Sequence, residues 1–235
     1  MKDFTQLKKN LKKDFSNITR IKVAVLGDTT TQFLTQAIKG IGFEYGYNLD
    51  IFEADFNQIE RQIFDPTSEL YDFKPEIVIV FQSSHKLLSK YNKMQPNEQK
   101  MLASKEMETI RNIYNTLSFN LSAKVICYNY AEIDDAIFGN FSNKMESSFL
   151  FQLRKLNFEL MVEASQNTNL FLCDLSSIQN QIGKSALFQT SLYINADMVL
   201  GIDELPKIAA RTLDIVSALN GKSKKCIILD LKQML

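Results

Sequence analysis

A threonine stands three residues after the end of an apolar run, at a position where a nucleophile or a ligand contact can form. Ile21–Leu26 is a continuous apolar segment, and Gly27, Asp28 and Thr29 come next. A threonine hydroxyl becomes a useful nucleophile when a neighbouring base takes its proton. His85 is the only histidine of the 235-residue chain and is the possible base. Thr29 and His85 are therefore the candidate catalytic pair of an esterase or acyltransferase.

Structural roles for the same residues are the simpler alternative. Thr29–Thr31 precede a stretch with helical apolar spacing, and threonine hydroxyls commonly accept hydrogen bonds from the free N–H groups at a helix start. The threonines would then be caps. His85 would be a solvated or hydrogen-bonded loop residue. A third possibility is that the threonine hydroxyls line a binding pocket without reacting.

Apolar runs alternate with helical patterns along most of the chain. The runs that predict strands are Ile21–Leu26, Asn48–Ala54, Glu76–Phe81, Ala123–Tyr128 and Leu170–Leu175. The longest helical patterns cover 97–118, 146–166 and a last segment that Asp203 would cap and that ends at Leu219. Near-continuous apolar strands separated by helices indicate a parallel sheet covered on both faces. The predicted fold is an α/β three-layer α/β/α sandwich with a mostly parallel, flavodoxin-like sheet of about five strands.

The carboxyl ends of the strands are where such a sheet binds ligands. Polar residues that follow the apolar runs are therefore the candidate pocket. Asn140 belongs to the weakly periodic stretch 129–145, which is predicted to be a loop beside the site. The candidate pocket residues are Gly27, Asp28, Thr29, Asn57, Gln58, Gln82, Asn140 and Asp174.

Composition argues against several classes of partner. The chain has 27 basic and 27 acidic residues, so no overall field favours nucleic acid. No apolar run approaches the ~20 residues that span a bilayer, and the N-terminus lacks the apolar core of a signal peptide, so a cytoplasmic location is expected.

Cys127, Cys173 and Cys226 each lie in an apolar run without a Cys-x-x-Cys pair. They are predicted to be buried thiols, and no metal site is expected.

Three segments are predicted along the chain. Residues 1–20 contain an amphipathic helix over 3–15, and the α/β domain covers 21–220. Residues 221–235 form a polar linker followed by the strand-like run Ile227–Leu231, which includes Asp230.

Together these segments resemble the N-terminal region of FkbH-like proteins, which belong to subfamily IIIC of the haloacid dehalogenase (HAD) superfamily. The most specific stretches are the polar and aromatic residues from Gln58 to Pro75 and the closing Lys225–Asp230. The other matching stretches are Ile21–Thr30, Gly139–Asn140, Leu153–Asn157, Asp174–Leu175, Ile182–Gly183 and Gly221–Lys224. The resemblance implies a fold like that of SGNH hydrolases.

The resemblance also places Thr29 at the nucleophile position of that fold, because Gly27–Asp28–Thr29 is similar to the Gly-Asp-Ser block of SGNH hydrolases. Those enzymes have their catalytic histidine three residues after an aspartate that follows the last strand. Here Ser177 stands three residues after Asp174. The resemblance therefore favours a non-catalytic binding or scaffold domain over an esterase or acyltransferase.

A phosphatase-like domain follows this region in FkbH-like proteins, and in studied members it moves a glyceryl group from a phosphorylated three-carbon donor onto an acyl-carrier protein. Asp230 matches its nucleophile, but Lys232 replaces the second aspartate, and the sequence stops at Leu235. Asp230 is thus expected to be vestigial here. Mg²⁺ belongs to the phosphatase domain, and no cofactor is expected in this chain. The implied partners are an acyl-carrier protein, an acyl or sugar ligand, and the HAD domain of the parent chain.

Overall fold

A five-stranded parallel sheet forms the centre of the computed structural model, which describes residues 2–133 and 135–222. The strands are β1 Thr19–Gly27, β2 Tyr47–Glu53, β3 Ile77–Phe81, β4 Lys124–Tyr128 and β5 Leu170–Cys173. The helices are α1 Phe4–Asn10, α2 Gln32–Glu44, α3 Ile59–Phe64, α4 Glu69–Phe73, α5 Ser84–Lys93, α6 Leu102–Leu121, α7 Phe149–Gln166, α8 Leu175–Ile182, α9 Lys184–Leu187, α10 Thr190–Ala196 and α11 Leu205–Leu219. The strand order is β2-β1-β3-β4-β5, and all neighbours are parallel.

Both faces of the sheet are buried under helices. In β3, Ile77, Ile79 and Phe81 belong to one hydrophobic cluster, and Val78 and Val80 belong to the other. This alternation is the two-residue period of a strand, and it is apolar on both sides because both sides are covered. Helices α1, α2, α8, α9 and α11 contribute to the first cluster, and α3 to α7 contribute to the second. The predicted three-layer α/β/α sandwich is confirmed.

The N-terminal helix is shorter than the predicted 3–15, and it packs on α2. Phe4 and Leu7 are buried, and Asn10 Nδ2 donates to Gly40 O at 3.0 Å. Gly40 permits this contact because a Cβ atom there would lie 2.6 Å from Leu7 O. The amphipathic pattern is therefore explained by the packing of this helix on the domain.

The five strands predicted within the described residues are all present, and no end differs by more than two residues. Helices α3, α4, α5 and α8 to α10 were not predicted, and most of them contain too few turns for an apolar period to stand out. His85, which the structural alternative expected in a loop, lies in α5. Asp203 does not cap the last helix. It lies in the short 3₁₀ helix Ile202–Glu204, and α11 begins at Leu205 with Pro206 in its first turn, where the missing N–H of proline costs nothing.

Several predicted features fall outside the described residues, namely Asp134, Cys226, Asp230 and the run Ile227–Leu231. Cys127 and Cys173 are free and buried, as predicted. None of the helices in 2–133 and 135–222 is long and apolar enough to cross a membrane.

Candidate functional site

The ends of three adjacent strands are joined by backbone hydrogen bonds at the carboxyl edge of the sheet. Asp28 N, directly after β1, donates to Phe81 O of β3 at 3.1 Å. Asn57 N, after β2, donates to Gly27 O at 2.8 Å, and Asn57 has a positive φ of 61°. Asparagine tolerates this left-handed conformation better than most residues. The bonds place the residues that follow β2, β1 and β3 around one point.

The Asp28 carboxyl group links the end of β1 to the start of α5. Its two oxygens accept hydrogen bonds from Ser83 N at 3.0 and 2.8 Å. Burial raises the pKa of Asp28 to about 7, with a smaller upward contribution from the charge of Asp197. The hydrogen bonds from Ser83 and the charge of Lys86 oppose this rise. At neutral pH the group is thus present both as an acceptor and as a protonated donor.

A cleft opens above these strand ends. It consists of two adjoining cavities of about 130 and 300 Å³ that share Asp28, Glu60, Gln82 and Thr109. Tyr130 lines the smaller cavity, and its hydroxyl donates to Gln82 Oε1 at 3.3 Å. Because the amide oxygen of Gln82 accepts this bond, its N–H groups remain as donors for a ligand.

The two cations that line this cleft both have carboxylate partners. Lys86 Nζ lies 2.9 Å from Asp197 Oδ2, and Lys90 forms an ion pair with Glu106, whose side chain is buried. Burial and the charges of Glu106 and Asp28 raise the pKa of Tyr130 well above its usual value, which keeps its hydroxyl protonated. Among the residues described, the cleft therefore presents the neutral hydroxyl of Tyr130, the amide of Gln82, the carboxyl groups of Asp28 and Glu60, and no unpaired cation.

Thr29 points away from solvent. Its side chain is 0% exposed, and its Oγ1 has no hydrogen-bond partner among the described residues. The next two threonines bond elsewhere: Thr30 Oγ1 donates to Ala196 O at 2.7 Å, and Thr31 Oγ1 donates to Glu53 at 2.7 Å. Thr31 precedes α2, yet its side chain makes no capping bond. The capping alternative therefore does not describe Thr31.

His85 lies in an aromatic environment beyond the cleft. Its ring centroid is 4.8 Å from that of Phe188 and 4.8 Å from that of Tyr193. Burial, followed by the charge of Lys184, lowers the pKa of His85, so its neutral form is favoured. Since Thr29 Oγ1 has no partner in the described part of the chain, it makes no hydrogen bond to His85. The direct hydrogen bond that would activate Thr29 through His85 is therefore not made among the described residues.

The other predicted site residues lie in different places. Asp174 caps α8 by accepting from Ser177 N at 2.9 Å, and it accepts from Asn129 Nδ2 at 2.7 Å. Gln58 directly precedes α3 and is half-buried. Asn140 lines a separate cleft in the segment before α7. Gly27 is buried at the end of β1.

Several cleft residues were not predicted: Glu60, Lys86, Lys90, Glu106, Thr109 and Tyr130. One of them carries a sequence signal. Glu106 interrupts the apolar face of α6 that Leu102, Ala103, Met107 and Ile110 form, and a carboxylate on a buried face needs a cationic partner. Lys90, which supplies that charge, comes from another helix, and local spacing gives no sign of this pairing.

A magnesium ion would need several oxygen ligands grouped together among these residues. Within 2–133 and 135–222, no group of three or more His, Cys, Asp or Glu side chains is placed to hold a metal ion. The described residues therefore do not fit the Mg²⁺ that the phosphatase resemblance implies.

Solved structures share this architecture. The N-terminal part of a Bacteroides fragilis protein containing a phosphatase domain, complexed with Mg, is 43% identical to this chain, with a TM-score of 0.93. The alignment covers 99% of this chain and 61% of that one, so this chain spans less than two thirds of its length. Comparison with curated proteins gave no match.

Two more distant structures show the same fold. A lipase/acylhydrolase from Enterococcus faecalis is 17% identical over 88% of this chain and 100% of its own, with a TM-score of 0.54. A family 3 carbohydrate esterase from Clostridium thermocellum is 14% identical over 86% of this chain and 99% of its own, with a TM-score of 0.51. These likenesses confirm the SGNH-hydrolase-like fold.

The family follows from a match to most of the sequence. The family model described as FkbH, N-terminal domain, matches residues 22–217, which contain most of β1, all of β2 to β5 and the cleft around Asp28. This chain belongs to the FkbH N-terminal domain family.

Proposed function

We propose that this chain is a non-catalytic, SGNH-like binding domain whose Asp28 cleft receives the uncharged polar arm of a carrier-linked substrate. The parent protein would add a HAD-type phosphatase domain that carries out phosphoryl or acyl transfer of the glyceryl type to an acyl-carrier protein. The likeness to a longer chain with a phosphatase domain supports such a parent.

The charge balance of the cleft is the observation that carries this proposal. Lys86 and Lys90 are both paired with carboxylates, so the described residues of the cleft offer no unpaired cation for a phosphate or a carboxylate ligand. Glu60, which lines both cavities, also disfavours an anion. Asp28 and Gln82 instead supply hydrogen-bonding groups that suit amides and hydroxyls. The carrier arm, pantetheine, is uncharged and contains both kinds of group.

The burial of Thr29 supports the non-catalytic part. Thr29 Oγ1 is fully buried, and it makes no hydrogen bond to His85. Asp174 is occupied as a helix cap. A triad needs a nucleophile, a base and an orienting group within hydrogen-bond reach of one another, and these three residues do not meet that condition.

Pantetheine binding tests the cleft. We expect free pantetheine to shift backbone amide resonances of residues 57–60 and 82–86 in a ¹⁵N-labelled sample. Gln82→Met should weaken this binding by about tenfold, because it removes the amide donors while keeping a similar volume. Gln166→Met is the matched control, since Gln166 is exposed at the end of α7 and does not line the cleft. An unchanged spectrum, or equal losses in both variants, would contradict the proposal.

Labelling with a fluorophosphonate tests the competing function, an esterase or acyltransferase that uses Thr29. We expect no covalent adduct by intact-mass measurement on the wild-type chain, because the reagent cannot reach a buried hydroxyl that no base activates. An adduct that forms on the wild type and is lost in Thr29→Ala would establish an activated nucleophile and favour the enzyme.

A further inference from the structure

A second cleft lies at the same edge of the sheet, between β4 and α7. The connection 129–148 joins them, and the regular structure of its described residues is the 3₁₀ helix Gly139–Lys144. Ordered connections of this length with little secondary structure are uncommon in compact domains and often have a function. The Asp28 cleft shares no lining residue with this one. Tyr130, near the start of the connection, lines the Asp28 cleft but not the second cleft. A role for the second cleft therefore lies outside the function proposed for Asp28.

Side-chain bonds from two helices fix the connection in place. Gln179 of α8 accepts from Glu132 N at 2.7 Å and donates to Glu132 O at 2.8 Å. The Glu132 carboxylate accepts two bonds from Arg154 of α7, at 2.5 and 2.9 Å. Arg154 Nη1 also donates to Asn143 Oδ1. This network preorganises the loop, so a ligand would not have to order it.

The cleft that this network surrounds is larger than the one at Asp28. Its volume is about 490 Å³, which lies within the range of small-molecule sites. Ile133 and Leu150 give it a buried apolar floor. The walls carry hydrogen-bonding groups from three exposed side chains, Asn140, Asn180 and Lys184, as well as from the network.

The chemistry of these walls selects a class of ligand. Side-chain amides both donate and accept, as do the hydroxyl groups of a sugar. Two exposed aromatic residues, Phe138 and Phe141, are in the same turn as the lining residues Gly139 and Asn140, and aromatic rings pack on the apolar faces of amphipathic ligands. Among the described lining residues, Arg154 forms an ion pair with Glu132, whereas Lys184 forms none. One negative charge on the ligand would give Lys184 a partner.

We propose that this cleft binds a polyhydroxylated, sugar-like ligand that carries one carboxylate, with Lys184 beside the carboxylate and the amides of Asn140 and Asn180 on the hydroxyls. A carboxylate fits better than a phosphate monoester, which carries nearly two negative charges at neutral pH. A uronic acid is the simplest ligand of this class.

Titration with glucuronate, glucose and glucosamine tests this site. In ¹⁵N-labelled protein at pH 7, we expect glucuronate to shift resonances of residues 139–143 and 179–184. Glucose should bind about threefold more weakly, and glucosamine more weakly still, because the charge contact is lost or reversed. Lys184→Gln should remove the difference between glucuronate and glucose, while Lys100→Gln, at an exposed lysine outside both clefts, should preserve it.

Three results would overturn the proposal. The first is that glucuronate at high millimolar concentration shifts no resonances. The second is that glucuronate and glucose bind equally well to the wild type. The third is that the resonances shifted by glucuronate belong to the Asp28 cleft. Asn180→Ala provides an independent check, because it leaves the Arg154–Glu132 network intact and should weaken glucose and glucuronate binding alike.

Discussion

Asp28→Asn is expected to stabilise the chain at neutral and alkaline pH. The pKa of Asp28 is raised from its unfolded value to about 7, so the folded state retains a proton that the unfolded chain releases. Stability from this group is present in full below the unfolded pKa and is lost as pH rises through about 7. A shift of this size corresponds to about 4 kcal/mol, and screening by solvent in the open cleft reduces this to roughly 1 to 2 kcal/mol.

Urea unfolding at low and high pH measures this effect. The variant and the wild type should have similar free energies of unfolding near pH 4, because the folded wild-type carboxyl is then protonated and the unfolded one is only partly ionised. Asparagine is expected to be the more stable form at pH 8, since it still accepts from Ser83 N without carrying a charge. A wild type that gains stability relative to the variant between pH 4 and pH 8 would refute the raised pKa.

Asp65→Asn is the matched control, because its expected change in the free energy of unfolding at high pH has the opposite sign. Asp65 accepts hydrogen bonds from Thr67 N at 2.9 Å and from Thr67 Oγ1 at 2.7 Å, and these bonds lower its pKa. Stability from a group with a lowered pKa is present above the unfolded pKa and is lost as pH falls. This variant should therefore lose stability at pH 8, where Asp28→Asn gains it.

Thr29→Val and Thr212→Val should have opposite effects on stability, although both threonines are completely buried. Thr29 Oγ1 has no partner among the described residues, so valine removes a costly polar group at constant volume and should stabilise by about 0.5 to 1 kcal/mol. Thr212 Oγ1 bonds to Tyr128 Oη at 2.6 Å and donates to Ile208 O at 3.0 Å. Its loss leaves the buried Tyr128 hydroxyl unpaired and should cost about 2 kcal/mol.

The denaturant midpoints of the two valine variants measure these changes in stability, provided that the slope of the transition stays unchanged. If Thr29→Val loses as much stability as Thr212→Val, then the Thr29 hydroxyl is bonded in the folded chain. It would again be a candidate for function.

The sequence supplied the sheet and the strand ends because both depend on local patterns. Apolar runs such as Ile77–Phe81 are long enough to show that both faces of a strand are buried, and the parallel arrangement follows from the helices between them. Parallel strands end at one edge, so Asp28, Asn57 and Gln82 were expected to meet there. The structure places all three on the cleft.

The remaining cleft residues come from elements that local patterns do not connect. Glu106 and Thr109 lie on α6, and Tyr130 follows β4. Their places depend on how α6 and α5 pack against the sheet, and on the ion pair between Lys90 and Glu106, which spans two helices. The sequence also emphasised Thr29, although Asp28 is the residue of that turn that lines the cleft.

By itself, the sequence determined the α/β fold, the order of its elements and the edge of the sheet at which polar residues gather, because hydrophobic periodicity and strand direction are properties of short segments. Only the tertiary structure decided which of those side chains face the cleft, which charges are paired and which hydroxyl is buried. Those outcomes depend on packing between residues far apart in the chain, and packing sets both side-chain orientation and the cost of leaving a polar group without a partner.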